Sequence, residues 1–588
     1  MEEGTVSGAG AVRSRALFSL FALAGLLVPG WGLGRPSSSS APASLTVAPT
    51  VDVPDLVKSD GQVMVVLRQQ PVGVQVVDVS TNPPQLGGFI SLPQLGTPYG
   101  LFLVGQDAVV LGSQLVATPT AGGGTTSETA TYVSVVNVAD EDLPSLARTY
   151  SFPGQLLGAR LISGQVVLAL DREPTYSVLC PGICAAQGAT ADQPAETLTV
   201  ASFDPTESSP AGEVTISGSA SYVYASATSM FLAASQSSLW PCPVAMSAST
   251  AIIACCPGGA GVMCPAPAPG TPVTSLVEGA LTTIYGFDLS DPAHPAFLGT
   301  GRVPGTLVGP EAMSEYDGYL RVVSDRQQAL PVPLMARAAR GTAQPVPVSA
   351  NTLTVLQPEN GSLVEVGQPL SFAPAARVCS VLFQGSAAYV STAQLDGSLY
   401  ALDLGDPDAP KVAGELANMP CLTQLQPVGN GLLAGLGRPA SNASSDQLQL
   451  DVFSTSTGGP PSLAARQVFG ASVTSPAESD SDALMWWAAG GLLVLPADDY
   501  ASQPSSSYAA VFSVSAAGNL SRLATLRQPT SASISGPTLP QSSYGSPEIE
   551  RALVEASFLL TVSQEGVMAN DVTSLAEVAW LPFASGTT

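Results

Sequence analysis

Short apolar runs separated by clusters of turn residues recur along this chain. The phrase IYGFDLSDPAHPAFLG at 284–299 returns as LYALDLGDPDAPKVAG at 399–414. Each copy has an apolar or alternating run of strand length, an Asp-Pro turn and a second short apolar run. The pattern therefore predicts a β-hairpin with a connection of six to seven residues.

A second apolar pair, split by a small polar turn, precedes each of these hairpins. Examples are LFLVGQDAVVLG at 101–112, ARLISGQVVLAL at 159–170 and VLFQGSAAYV at 381–390. Together the two pairs predict a unit of four antiparallel strands joined by short links. Nine candidate units begin near the following residues: Leu56, Tyr99, Gly158, Tyr222, Glu311, Val381, Leu425, Ala483 and Val554.

A single four-stranded unit of this kind leaves two apolar faces and two edges uncovered, so it is not stable alone. Radial stacking of the units buries both faces and leaves only short edges. The repeats therefore predict an all-β fold, a β-propeller of four-stranded antiparallel blades, eight or nine in number. The alternative is a tandem of β-sandwiches, which the period of single hairpin pairs disfavours.

Composition and charge narrow the partners of this fold. The 588 residues include 57 Gly and 51 Pro, which favour strands and turns over helices. The formal net charge is -25, and Lys58 and Lys411 are the only lysines. Nucleic acid and anionic membrane surfaces both require clustered cations, so the sequence argues against both. The acidic surface is typical of a soluble monomer.

The amino terminus predicts export. Arg13 and Arg15 precede an apolar stretch from Ala16 to Val28, which has the length of a signal peptide. We divide the chain into a signal peptide at 1–33, a Ser/Ala/Pro-rich linker at 34–50 and a β-propeller domain at 51–585. The alternative for the first segment is an uncleaved membrane anchor. The mature chain is expected to be secreted or at the cell surface (periplasmic in a Gram-negative cell), with no membrane span.

The chain has eight cysteines, an even number that favours disulfides in an exported protein. Cys379 and Cys421 each stand just before the first strand of successive units, which favours a bridge between two blades over two buried thiols. Cys180 and Cys184 are close enough for a local bridge. The remaining four lie in a loop insertion at about 236–280, where a vicinal bridge is one option left open: Cys242, Cys255, Cys256 and Cys264.

Few residues of the sequence suggest catalysis or metal binding. Asp480 and Asp482 offer hard oxygen ligands, so calcium is the metal we consider, against the alternative of solvated turn residues. The single histidine, His294, lies between two prolines of a hairpin connection and is read as a turn residue. No cofactor is predicted beyond that calcium ion.

Several segments together resemble a known family. DVPDLVKSDGQVMVVL at 52–67, GRVPGTLVGPEAMSEYDGYLRVVS at 301–324 and EIERALVEASFLLTVSQEGV at 548–567 are similar to segments of secreted bacterial and archaeal proteins that carry a β-propeller distantly related to WD-40 repeats. The resemblance extends from about Val51 to the C-terminus. It implies the fold and export but no defined reaction. The signature positions in this sequence are Lys58, Asp60, Gly61, Glu315, Tyr316, Asp317, Gly318, Tyr319 and Arg321.

These observations favour an exported β-propeller that acts as a binding or scaffolding module for a protein or glycan ligand. Loops at the faces of the ring and the central channel would present the contacts. The alternative is an extracellular polysaccharide hydrolase or lyase that uses carboxylates at the mouth of the channel. The sequence favours the non-enzymatic role.

Overall fold

Antiparallel β-strands make up almost all of the described structure. The computed structural model describes residues 51–119, 125–172, 196–208, 210–236, 280–326, 351–374, 376–393, 397–439, 447–455, 459–501, 505–529 and 546–584. Within these ranges there is no α-helix, and four short 3-10 turns occur at Pro93–Leu95, Pro310–Ala312, Pro476–Glu478 and Ser481–Ala483. None of the described helices has the length and hydropathy needed to cross a membrane.

The strands form nine successive units of four, each paired in an up-and-down order. A short strand, β1 (Val51–Asp52), precedes the first unit. The first three units are β2 (Val57–Ser59), β3 (Val63–Gln69), β4 (Val72–Asp78) and β5 (Gln85–Ser91); β6 (Thr97–Val104), β7 (Asp107–Pro119), β8 (Thr125–Asn137) and β9 (Ser145–Pro153); and β10 (Gln155–Ile162), β11 (Gln165–Arg172), β12 (Thr197–Phe203) and β13 (Gly212–Ser217).

The next three units follow the same order. They are β14 (Tyr222–Ala225), β15 (Ser229–Gln236), β16 (Leu281–Asp288) and β17 (Ala296–Pro304); β18 (Met313–Tyr316), β19 (Tyr319–Ser324), β20 (Asn351–Glu359) and β21 (Ser362–Phe372); and β22 (Arg377–Gln384), β23 (Ala387–Ala393), β24 (Gly397–Asp403) and β25 (Lys411–Met419). A parallel bridge between Thr300 and Ser362 joins units 4 and 5 into one eight-stranded sheet.

The last three units complete the series. They are β26 (Cys421–Pro427), β27 (Leu432–Arg438), β28 (Gln449–Ser454) and β29 (Ser462–Val468); β31 (Met485–Trp487), β32 (Leu492–Asp499), β33 (Ser506–Val514) and β34 (Leu520–Leu526), with the additional strand β30 (Val473–Thr474) paired to β32; and β35 (Ile549–Glu555), β36 (Phe558–Ser563), β37 (Gly566–Asp571) and β38 (Glu577–Pro582). The described strands thus form nine units in eight sheets, and the blade number stays at the predicted eight or nine.

Apolar side chains on both faces of each unit close the units into a ring. Successive hydrophobic clusters join each unit to the next along the whole series. A further cluster joins the last unit to the first. It contains Leu560 and Val562 of β36 in unit 9, together with Met64 of β3 and Val77 of β4 in unit 1. This closed packing is what a single unit lacks, and it is the reason that the repeated sequence folds as a ring.

The first strand of each unit lies towards the centre of the ring and the fourth lies outside. Fourth strands such as β29 and β38 are largely exposed, whereas the second and third strands are buried. Arg160 of unit 3 interacts electrostatically with Asp482, which lies directly before β31 of unit 8. Units 3 and 8 are not neighbours in the ring, so these two side chains approach each other across the central channel.

The repeated Asp-Pro phrase is the loop that connects the third and fourth strands, and it packs on the preceding unit. The loop of unit 2 accepts a hydrogen bond from the backbone N–H of Gly88 in β5 at the carbonyl of Glu141 (2.7 Å). In the same way the carbonyl of Asp408 in unit 6 faces Gly367 in β21, and Pro460 in unit 7 faces Gly414 in β25. Glycine is required where the loop reaches the neighbouring strand, because a Cβ would overlap the loop.

Replacing Gly367 by Ala should reduce the free energy of unfolding by about 1–3 kcal/mol, the usual cost of overpacking at a strained position. Gly367 has a φ of +64°, and an added Cβ would overlap the backbone of Asp408. Gly361→Ala is the matched control, because Gly361 has a φ of +80° in the same hairpin with open space around the Cβ position. Chemical denaturation should show the larger loss for Gly367→Ala, and equal losses would contradict the loop contact.

Candidate functional site

The segment that precedes unit 1 lies along the inner edges of units 2 and 3. We name residues Val51 to Asp55 the strap. Its strand β1 pairs antiparallel with β10, with Val51 opposite Ile162 and Asp52 opposite Leu161. Asp55 then bridges to Leu101 of β6, through hydrogen bonds from the N–H of Asp55 to the Leu101 carbonyl (3.1 Å) and back (2.8 Å). The strap therefore covers part of the channel wall before the chain enters β2.

Arg551 lies at the centre of a group of charged side chains in the channel. Its Nε donates to Asp55 Oδ1 at 2.8 Å, and its Nη2 donates to Asp480 Oδ2 at 2.6 Å. The guanidinium is buried, with an exposed fraction of 7%. The three residues belong to unit 9, to the strap and to the 3-10 turn before unit 8, so this one side chain connects three parts of the ring.

A second ion pair lies beside the first. Lys58 of β2 is buried, and its Nζ donates to Asp52 Oδ1 of the strap at 2.7 Å. We name the following six residues the channel cluster: Asp52, Asp55, Lys58, Asp480, Asp482 and Arg551. The strap therefore supplies one carboxylate to each cation of the cluster.

Arg160 and Tyr99 extend this polar surface on units 3 and 2. Arg160 donates to the carbonyls of Ala159 (2.7 Å) and Val223 (3.0 Å), and it makes no ion pair with a carboxylate of the described ranges. Burial lowers the pKa of its guanidinium, although Tyr99, Asp482 and Asp52 act in the opposite direction. Tyr99 is 44% exposed, so it offers an aromatic ring at this side of the channel.

Burial also changes the titration of the acids. Desolvation, assisted by repulsion from Asp55 and Asp480, raises the pKa of Asp482 to about 7. Desolvation likewise raises the pKa of Asp55, against the opposing attraction of Arg551 and Lys58. The acids in turn raise the pKa of Arg551, which stays charged at every relevant pH. Asp482 therefore changes its charge near neutral pH.

A carboxyl whose pKa is higher in the folded state than in the unfolded state destabilises the fold as the pH rises. Its effect is absent below the unfolded value of about 3.9 and complete above the folded value of about 7. At a pH of about 8, Asp482→Asn should therefore increase the free energy of unfolding by about 1–2 kcal/mol, and at about pH 4 the two proteins should be equal.

Urea unfolding at a series of pH values measures this difference. Glu577→Gln is the control, because it removes a carboxylate from the exposed strand β38. A constant difference between Asp482→Asn and the unsubstituted protein across the whole range would contradict the assignment.

The predicted calcium ligands belong to this cluster. Asp480 Oδ1 accepts a hydrogen bond from the N–H of Asp482 (3.0 Å), and Oδ2 is engaged by Arg551. In the described ranges no three or more His, Cys, Asp or Glu side chains are grouped so that they could hold a metal ion. A calcium site at Asp480 and Asp482 stays a prediction.

The middle signature segment joins units 4, 5 and 6. Arg321 of β19 is buried, donates to the carbonyl of Gly385 (2.5 Å) and to Ser314 Oγ (2.8 Å), and stacks on the rings of Tyr316 and Phe383. Burial lowers the pKa of Arg321 to about 10. These contacts have the character of a structural anchor.

The other signature residues also have local roles. Glu315 receives the hydroxyl hydrogen bond of Ser226, and its own N–H donates to Tyr224 Oη (2.9 Å). Asp317 and Gly318 have φ values of +54° and +80°, as a tight hairpin turn between Tyr316 and Tyr319 requires. In unit 1 the side chain of Asp60 accepts from the N–H of Gln62 (2.9 Å) beside Gly61, which has a φ of +85°. Of the nine signature positions, Lys58 belongs to the channel cluster.

A disulfide joins Cys379 of β22 to Cys421 of β26, the pairing that the sequence favoured. The S–S distance is 2.06 Å and the bridge connects units 6 and 7. The other predicted cysteines lie outside the described residues: Cys180, Cys184, Cys242, Cys255, Cys256 and Cys264.

The sequence motifs do not mark Asp52, Asp55, Arg160 or Arg551 as candidate site residues. A usable signal was present, because Arg160 and Arg551 each interrupt an apolar first strand of a unit, QLLGARLI and IERALVE. A charge on such a strand must face the channel or find a partner. The sequence does not identify that partner, because Asp55 and Arg551 are 496 positions apart along the chain.

The closed ring of four-stranded units around a channel defines this protein as a β-propeller. The chain belongs to the family described as "Beta propeller domain", whose model matches residues 46–575. It is 29% identical over 202 residues to an uncharacterized protein of Methanocaldococcus jannaschii, which covers 34% of this chain and 29% of that protein. It is also 28% identical over 144 residues to an uncharacterized protein of Archaeoglobus fulgidus, covering 24% and 20% of the two chains. The matches thus span less than a third of each relative.

Two solved structures also align with this chain. The crystal structure of Chaetomium thermophilum Sqt1 aligns with 72% of this chain and 84% of its own, at 10% identity and a TM-score of 0.33. A functionally unknown protein from Desulfotomaculum acetoxidans aligns with 69% and 98%, at 10% identity and a TM-score of 0.29. At these TM-scores neither structure contributes to the argument.

Proposed function

We propose that this protein is an exported β-propeller that acts as a binding or scaffolding module at or outside the cell surface. The observation that supports a binding role is the state of the channel cluster. Asp55 and Asp480 both bind Arg551, and Asp52 binds Lys58, so these acids are engaged with cations on rigid inner strands. Cations held on inner strands provide fixed recognition contacts, whereas carboxylates engaged in ion pairs are not available as the flanking acid pair that glycoside hydrolysis uses.

Export rests on the amino-terminal sequence, and secretion tests it. The chain with residues 1–33 should be released to the periplasm or medium with a new terminus near 34, as mass spectrometry of the purified protein would show. A matched chain that lacks the apolar stretch from Ala16 to Val28 should stay in the cytosol. Retention of an unprocessed full-length chain in the membrane fraction would contradict export with cleavage and favour the anchor.

A binding screen tests the binding role. The mature chain, beginning at residue 34, would be applied to a glycan array and used to capture proteins from the surface fraction of its host, each with and without calcium. We expect a saturable ligand whose affinity falls when Arg551 is replaced, with Arg302→Met as the control on the exposed face of β17. Absence of saturable binding, together with turnover of a substrate, would overturn the proposal.

One observation favours the alternative, a polysaccharide hydrolase or lyase. The pKa of Asp482 is raised to about 7, the range that suits a general acid or base at neutral pH. If Asp482 has this role, purified protein should cleave an acidic or neutral polysaccharide with a pH profile that follows this group. Asp482→Asn should then abolish cleavage while leaving the fold intact. Reducing-sugar release across a panel of polysaccharides decides between the two functions.

A further inference from the structure

The inner edges of β6 and β10 are sheet edges at which a further strand can pair. Edge strands present unpaired backbone N–H and C=O groups, and extended peptides bind to such edges by adding a strand. In this protein the edge of β10 pairs with Val51 and Asp52, and that of β6 pairs with Asp55. The strap therefore shows that an extended chain fits along two successive inner edges.

The inner edges of β6 and β10 allow the main chain of an extended segment to lie close against them. Gly100 of β6 lies against the strap, and a Cβ at this position would come within 3.0 Å of Pro54 Cβ. Val51 packs against the buried cluster between units 3 and 4, which includes Ile162 and Val223. An apolar side chain and a main chain thus each have a place on this surface.

The charged side chains beside the inner edges of β6 and β10 favour a bound segment that carries negative charge. Three cations lie along the path of the strap: Lys58, Arg160 and Arg551. Two of them form ion pairs with the strap, Lys58 with Asp52 and Arg551 with Asp55. The other acids near these cations include Asp480, which is bound to Arg551, Asp482, which is half-buried, and Glu550, which interacts electrostatically with Arg551. An extended segment with acids at the second and fifth positions, as in V-D-V-P-D, therefore matches the inner edges of β6 and β10 in charge and backbone.

The contacts that hold the strap are few. They comprise a two-residue strand, one bridge at Asp55, two ion pairs and the packing of Val51 against the cluster between units 3 and 4. A short strand of this kind contributes little stability by itself, so the strap is held mainly by its two ion pairs, which another acidic segment can make in its place. A competing segment of the same chemistry can therefore replace the strap.

We propose that the inner edges of β6 and β10, with Lys58, Arg160 and Arg551, form a receptor for an extended acidic peptide segment of a partner protein, and that the strap occupies this receptor in the free protein. The inference rests on the proposed binding function and names its partner class. An acidic polysaccharide could contact the cations, but it has no backbone N–H and C=O to pair with β6 and β10. The peptide is therefore the better match.

A peptide-binding experiment with the full mature chain tests this inference. The probe is a fluorescent peptide with the sequence VDVPDL, and the matched control peptide is VNVPNL. In the double variant Asp52→Asn/Asp55→Asn the strap loses its ion pairs, so we expect it to bind VDVPDL at least about tenfold more tightly than the unsubstituted protein does. VNVPNL should bind the variant about tenfold more weakly than VDVPDL, and salt should weaken VDVPDL binding.

The result that overturns the inference is a folded double variant that binds neither peptide, or binds both equally. If the double variant does not fold, hydrogen exchange of the unsubstituted protein decides. Saturating VDVPDL should then speed exchange in Val51–Asp55 and VNVPNL should not, and an unchanged strap would overturn the inference. Binding of oligogalacturonate without binding of VDVPDL would also overturn it, while leaving the binding function intact.

Discussion

Replacement of Arg551 by Met should lower the free energy of unfolding by about 3 kcal/mol or more. The substitution leaves Asp55, which is 10% exposed, without its ion-pair partner. Removing one partner of a buried ion pair is costly because the remaining charge loses both its partner and its water. The contact that is lost joins the first strand of unit 9 to the strap. Denaturant unfolding with tryptophan fluorescence would measure the loss of stability.

Two further variants make this result specific. Arg302→Met removes a cation from the exposed position in β17 and should leave stability within about 0.5 kcal/mol of the unsubstituted protein. Combining Arg551→Met with Asp55→Asn should recover part of the loss, because the orphaned charge is removed as well. A double variant that is less stable than Arg551→Met alone would show that Arg551 acts mainly through packing.

Loss of the disulfide between Cys379 and Cys421 should cost about 4 kcal/mol, from the loop entropy of the 42-residue separation that it closes. The bridge fastens the first strands of units 6 and 7. Hydrogen bonds from Ser380 Oγ to the Leu422 carbonyl (2.6 Å) and from the Leu422 N–H to Ser391 Oγ (2.9 Å) adjoin it. The double variant Cys379→Ala/Cys421→Ala should therefore unfold at a lower denaturant concentration.

Single variants are the control for this prediction. Cys379→Ala and Cys421→Ala each break the same bond, so each alone should lose as much stability as the double variant. Losses that add up in the double variant would mean that the two side chains contribute through separate packing. No loss in any of the three would mean that the bridge does not form in solution.

Much of the fold was accessible from the sequence because its information is local. The turn residues between β16 and β17 and between β24 and β25 mark hairpins by their own conformational preferences. Each predicted unit start falls within a few residues of the first strand of a unit, as Tyr222 does at the beginning of β14. The family resemblance and the match of residues 46–575 agree with this interpretation.

The candidate site was accessible only in part. The sequence marked Asp480 and Asp482 as calcium ligands and Lys58 as a family signature residue. It did not predict that these three residues belong to one cluster of ion pairs. Arg551, which organises the site, was missed because its partners lie in the strap and in unit 8. A first-strand arginine signals that a partner is needed, but the identity of that partner is a property of the closed ring.

The sequence by itself determined the strands, their antiparallel order and the need to close a ring, because periodicity, turn chemistry and uncovered apolar faces are written in contiguous residues. Only the tertiary structure decided which charges meet in the channel, and that the strap lies on β10 and β6. Ring closure brings residues hundreds of positions apart within hydrogen-bond distance, and burial there sets their charge states. Neither effect depends on neighbours along the chain, so no local pattern could have revealed it.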